Sequence, residues 1–138
     1  VWAIDYGAPE DWADVFTPDG VFEAFGGKMQ VRGRDRLIAF ATDLKRTVPD
    51  LHHVTTSLVI DLGGDRARSK SQLNEFMSRP EAIYPNLHGW YQDDLVFGEG
   101  GWLFERRQVH VVNPHNTRTG KVGAHFQAFF DACQAYMT

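Results

Sequence analysis

The run His52-His-Val-Thr-Thr-Ser-Leu-Val-Ile-Asp-Leu62, then Gly63-Gly-Asp65, then Arg66-Ala-Arg-Ser-Lys-Ser-Gln-Leu-Asn-Glu-Phe-Met77, decides the fold of this chain. Its first part is rich in β-branched residues, which suit a pleated surface. The glycine pair is a turn signal between two such runs. Residues 52–62 and 66–77 therefore read as two long antiparallel strands. Downstream, Pro80 to Asn86 is a loop and Gly89 to Phe97 a third strand. Gly98-Glu-Gly-Gly101 then turns the chain into a fourth, Trp102 to Val112. Beyond Asn113-Pro114 comes a polar, glycine-containing stretch. A short C-terminal helix follows, with Phe126, Phe129, Phe130 and Cys133 on one side.

Upstream the period changes. Leu37, Ile38, Ala41, Leu44 and Val48 recur at helical spacing, so residues 34–47 form an amphipathic helix that Pro49 ends. Val21 to Phe25 and Lys28 to Arg32 read as a hairpin about Gly26-Gly27. Thr17-Pro-Asp-Gly20 is a turn. Pro9 suits the first turn of a helix, with Glu10 and Asp11 near its positive end and Trp12, Val15 and Phe16 as its apolar side. Val1 to Tyr6 reads as the last turns of another helix, stopped by Gly7. The chain opens Val-Trp-Ala-Ile-Asp with no methionine and no capping residue, so further residues are expected upstream. The order is helix, helix, hairpin, helix, then antiparallel strands. This is an α+β plan, with helices on one face of a strongly bent sheet enclosing a cone-shaped hollow.

The 138 residues make one domain and are too few for two of ordinary size. Apolar residues are 43% and aromatics 13%, enough for a core with aromatic surface left for a pocket or an interface. The net charge is −4, and an aspartate interrupts the arginines of Val31-Arg-Gly-Arg-Asp-Arg36. Phosphate neutralisation dominates nucleic-acid affinity, so no nucleic-acid partner is expected. Cys133 is the single cysteine. It permits no intrachain disulfide and fits a reducing compartment, so a cytoplasmic location is expected. No cysteine pair or His-x-x-x-His spacing calls for a metal. No window approaches 18 apolar residues, so no membrane partner is expected.

Several segments together resemble the SnoaL-like family of the nuclear-transport-factor-2-like superfamily. They are Trp12-Ala-Asp-Val-Phe-Thr-Pro-Asp-Gly-Val-Phe-Glu23, Val31-Arg-Gly-Arg-Asp-Arg-Leu37, His53-Val-Thr-Thr-Ser-Leu-Val-Ile-Asp61, Gly64-Asp-Arg-Ala67, Tyr91-Gln-Asp-Asp-Leu95 and Gly101-Trp-Leu-Phe-Glu-Arg-Arg107. Their order and spacing cover roughly residues 1–112. The resemblance implies a cone-shaped α+β fold. Its nearest functional relatives are scytalone dehydratase, hexachlorocyclohexane dehydrochlorinase and bile acid 7α-dehydratase, cofactor-free lyases that use an Asp–His pair. The family aspartate matches Asp5 and the family histidine matches His53. There are departures: the family asparagine is Ser57, an upstream tyrosine of some relatives falls before residue 1, and the second pocket histidine of scytalone dehydratase has no clear counterpart.

The residues can be weighed on their own chemistry. A carboxylate in the last turn of a helix opposes the dipole by about 0.3–1 kcal/mol. If Trp2, Ile4 and Tyr6 bury it, Asp5 needs a partner, and a histidine is a good one. The plain alternative is an exposed aspartate before a glycine stop. His53 exchanges a proton near neutral pH, and a neighbouring carboxylate fixes its tautomer. It competes with His52 and with a role as a satisfied core histidine. Its parity is opposite to that of Val54, Leu58 and Ile60, so either both sheet faces are buried or a bulge shifts the register. We take two-sided burial, which predicts a homo-oligomer, dimer or trimer, through the outer sheet face. Of the adjacent Trp90 and Tyr91, one lines the pocket and the other packs outside. Phe16, Phe22 and Leu51 are core or pocket wall. His110 is a further ligand-contact candidate, while Arg106 and Arg107 read as sheet-surface residues.

The expected function is a lyase or dehydratase acting on a small, hydrophobic, carbonyl-activated molecule of polyketide, steroid or aromatic type. His53 serves as base and Asp5 orients it, with no cofactor. An isomerase or polyketide cyclase would use the same residues. A binding or assembly module, like a ring-hydroxylating dioxygenase β subunit, is the non-enzymatic alternative.

Overall fold

A computed structural model describes residues 1–112 and 124–137. The polar stretch expected after Asn113-Pro114 lies outside the described residues. The elements run α1 (Trp2–Tyr6), α2 (Pro9–Ala13), β1 (Phe16–Ala24), a 3-10 turn (Phe25–Gly27), β2 (Met29–Arg32), α3 (Arg34–Thr47), β3 (Leu51–Gly63), β4 (Arg66–Ser78), β5 (Ile83–Gly98), β6 (Gly101–Val111) and α4 (Ala124–Cys133). One open sheet has the order β2-β1-β6-β5-β4-β3, with β2 and β3 as its edges. The β1–β6 pair is parallel and the other pairs are antiparallel, so the sheet is mixed. The helices cover one face of it.

Local chemistry explains most boundaries. Asp11 Oδ2 accepts the Ala8 N–H at 2.7 Å, which satisfies a free donor at the start of α2. α3 carries Asp35 in its first turn and Lys45 and Arg46 in its last, as the helix dipole favours. Gly7 caps α1 in an extended conformation rather than a left-handed one. Its need for glycine is space: a Cβ there would sit 2.9 Å from the Ala3 carbonyl oxygen.

Two expected boundaries move. Residues 17–20 are not a free turn. They lie inside β1, where the ladder with β6 breaks between Phe16 and Val21. Pro18 lacks the N–H a regular ladder needs, so the strand accommodates it as an irregularity. Phe16 accordingly opens β1 instead of ending α2. The loop expected over 80–86 is shorter, because Ile83 already pairs with Ser78.

The alternation problem at His53 has a clear answer. Thr56 pairs with Gln72 but Val59 pairs with Lys70, so Ser57 and Leu58 together oppose Ser71. Ser57 has φ +55°, which produces this β-bulge. Beyond it Ile60 and Leu62 face Ser69 and Ala67, on the side of the sheet that carries His53. The register shift accounts for the parity of Ile60 and Leu62, while Val54, ahead of the bulge, keeps the face opposite to His53. Val54, Trp90 and Val112 remain exposed in this chain.

The core lies between the sheet and the helices. Trp12 packs with Phe16, Phe22 and Phe40 at ring separations of 5.1, 5.5 and 5.3 Å. Phe129 of α4 completes the cluster at 5.2 Å from Phe40. Tyr136 fastens the end of α4 by donating to Asp43 Oδ2 at 2.9 Å.

Candidate active site

α1 brings Asp5 across to the first residues of β3. Lys45, at the C-terminal end of α3, donates to the Asp5 carbonyl at 3.2 Å and helps dock this five-residue helix. Asp5 Oδ1 lies 2.5 Å from His53 Nδ1, and Oδ2 accepts the His53 backbone N–H at 2.9 Å. The side chains of the pair are 3% and 7% exposed. Burial alone would push the Asp5 carboxyl up. The hydrogen bonds and charge of His53 outweigh it and hold that carboxyl below its ordinary value. With Nδ1 engaged, Nε2 is the ring nitrogen left to act. It faces Glu75 Oε1 at 3.6 Å.

His53 and Glu75 form part of the wall of an aromatic-rich cavity of about 70 Å³ between the sheet and the helices. Phe22, Leu51 and Tyr91 also line it. The Tyr91 side chain is buried, which pushes its phenol up and keeps it protonated. Its hydroxyl has no hydrogen-bond partner among the described residues. On the same wall, Arg107 forms two hydrogen bonds to Asp93, both at 2.9 Å, and lies 4.1 Å over the Tyr91 and Phe104 rings. Ser69 donates to Asp93 Oδ2 at 3.1 Å, so the buried carboxylate is fully engaged. Past α1 the same sheet face carries a second, more open hollow of about 500 Å³, bordered by Val1, Leu58, Ile60, Trp102 and Arg107.

Three expected site residues lie elsewhere. Trp90 stacks on His110 at 4.8 Å on the outer face, where alternation along β5 and β6 must put them if Tyr91 and Val109 point inward. Phe16 is core, against Trp12 and Phe104, and does not line the cavity. His52 stacks on Tyr6 and is not the cavity histidine. Two residues were missed. Glu75 is an inward carboxylate between inward Leu73 and Met77, and that alternation was readable. Arg107 reads as a surface residue in sequence, yet it shares the parity of buried Val109.

The comparisons agree with this architecture. Residues 1–108 match the SnoaL-like domain. The chain belongs to the SnoaL-like family. Among solved structures, Rv3472 of Mycobacterium tuberculosis, a protein of unknown function, is similar with 27% identity and a TM-score of 0.85 over 99% of this chain and 83% of that one. A nuclear-transport-factor-2-like protein with a cystatin-like fold from Novosphingobium aromaticivorans shares 17% identity and a TM-score of 0.73, over 83% and 75% of the two chains. A scytalone dehydratase candidate from the same organism shares 21% identity and a TM-score of 0.69, over 81% and 76%. These last two likenesses establish the fold. No curated protein matches the chain. In this SnoaL-like chain no described helix is long and apolar enough to cross a membrane, and no group of metal-binding side chains occurs among the described residues.

Proposed function

We propose that this SnoaL-like protein is a cofactor-free lyase of the dehydratase type. It removes a proton next to a carbonyl in a small, largely apolar substrate and expels a hydroxyl as water. The observation that carries the reading is the two-point hold of Asp5 on His53 at the wall of a buried aromatic cavity. A carboxylate on Nδ1 fixes the tautomer, leaves Nε2 to accept the proton and stabilises the imidazolium that forms. The Tyr91 hydroxyl supplies a donor for the developing enolate oxygen, and its burial keeps the phenol in the donating form. The apolar lining favours an uncharged skeleton over a charged one, and about 70 Å³ of free space fits a small one.

Turnover of a panel of β-hydroxy ketones graded in size, from small aliphatic to aromatic, tests the reading. Asp5→Asn and His53→Ala are expected to slow enone formation by about 10²–10⁴-fold in protein that still unfolds in one cooperative transition. A binding or assembly module would instead retain its affinity for apolar ketones through both changes and turn over none of the panel. Conversion to a positional isomer or a ring-closed product, without loss of water, would place the same residues in an isomerase or cyclase.

A further inference from the structure

We propose that Glu75 is the second proton carrier of this site. It shares one exchangeable proton with His53, so that the pair takes a proton from the substrate and delivers one to the departing hydroxyl in a single turnover. The inference rests on the acid–base reading of His53 given above and assigns a role to a residue that reading leaves unused.

The geometry is specific. His53 and Glu75 are direct cross-strand partners of β3 and β4, so both side chains stand on the same face of the sheet. Both line the cavity, and the Glu75 side chain is 12% exposed. Asn86 is the extra residue at the register shift between β4 and β5, and its Nδ2 donates to Glu75 Oε2 at 2.8 Å. That contact orients the carboxyl and leaves Oε1 turned towards His53 Nε2 at 3.6 Å. This separation exceeds a direct hydrogen bond, and unliganded catalytic contacts are commonly long and tighten with substrate. Arg107 is not a counter-charge for Glu75, because Asp93 holds it at two points. Glu75 is a largely buried carboxyl with no Lys or Arg partner among the described residues, and His53 Nε2 is the group its Oε1 faces.

The chemistry balances. The pair starts with one proton and one vacant acceptor position between Nε2 and Oε1. The bond from the α carbon to hydrogen breaks, and its proton fills the vacant position. The electron pair left behind moves onto the carbonyl oxygen as an enolate, which collapses to the carbon–carbon double bond and restores the carbonyl as the C–O bond breaks. The leaving hydroxyl takes the other proton and departs as water, so the pair ends with one proton, as it began. Asp5 keeps Nδ1 occupied throughout.

The test uses the full chain, the same graded panel of β-hydroxy ketones in D2O and two readouts: deuterium uptake at the α carbon and formation of the enone. Glu75→Gln keeps an acceptor for Asn86 but cannot carry the proton. It is expected to slow enone formation by about 10²–10⁴-fold while α-exchange stays within about threefold, and Glu75→Asp is expected to restore part of the loss. Equal loss of exchange and enone formation would make Glu75 a positioning residue, and an unchanged rate would remove it from the reaction; either overturns the proposal. Unchanged rates in His53→Ala would instead overturn the underlying acid–base reading. A substrate-free measurement decides independently if the panel is not turned over. Asp5 from α1, Lys45 from α3, His52 on β3, Asn86 and Tyr91 from β5 and Arg107 from β6 surround the pair. In ¹⁵N NMR at one fixed pH against that common background, Glu75→Gln is expected to move the His53 Nε2 resonance while Nδ1, held by Asp5, keeps its own. Identical spectra would overturn the shared proton.

Discussion

Asp5 grips His53 at two points, one oxygen on the ring and the other on the backbone N–H, so a single carboxylate sets both the strand entry and the imidazole orientation. Asp5→Asn retains an acceptor for only one of these contacts. A fall in kcat/KM of about 10²–10⁴-fold is expected, with kcat taking most of the loss. Steady-state kinetics on the ketone panel, beside thermal unfolding, check it.

The same contact makes acid stability depend on Asp5. Its carboxyl is held below the ordinary 3.8, so its stabilising contribution is complete above that value and disappears as pH falls through the lowered folded value. The stability gap between the wild type and Asp5→Asn is therefore expected to be constant above about pH 4 and to close below it. Urea unfolding between pH 2 and 7 measures the gap.

Asp93 neutralises Arg107 under the sheet, with side chains 2% and 13% exposed. Asp93→Ala leaves a buried guanidinium without its partner and is expected to cost about 3–5 kcal/mol. Replacing both by apolar residues, Asp93→Leu with Arg107→Met, is expected to cost less than the single change. Denaturant midpoints of the three variants compare them.

Gly89 leaves less room for a side chain than any other described glycine. A Cβ there would fall 2.0 Å from the His110 carbonyl oxygen. Gly89→Ala must push β6 away from β5 and is expected to destabilise by about 1–3 kcal/mol. Equilibrium unfolding measures it, and amide exchange at Val111 reports where the ladder opens.

What the sequence revealed follows the range of the forces involved. The helix over 34–47 was legible to the residue, because 3.6-residue periodicity is local and Gly33 and Pro49 bracket it. The long strands were legible for the same reason. The bulge at Ser57 was not, because a serine carries no sign that tertiary packing will hold it at φ +55°. Its effect is visible as an alternation conflict at His53, which the bulge resolves for Ile60 and Leu62 within a single chain. The meeting of Asp5 with His53 spans 48 positions and came from family likeness rather than from spacing. Glu75 and Arg107 were within reach of simple alternation. Their charge hides them, because charged residues on strands usually face solvent.

The parallel seam between β1 and β6 also governs how the protein is made. Val21 cannot meet Arg106 until both have been synthesised. At ordinary translation speed the ribosome needs roughly 4–17 s to cover that separation. During this interval the early hairpin has no permanent neighbour on one side, and Phe22 has no finished core to enter. Expression yield is therefore expected to track chaperone supply and growth temperature more closely than equilibrium stability does.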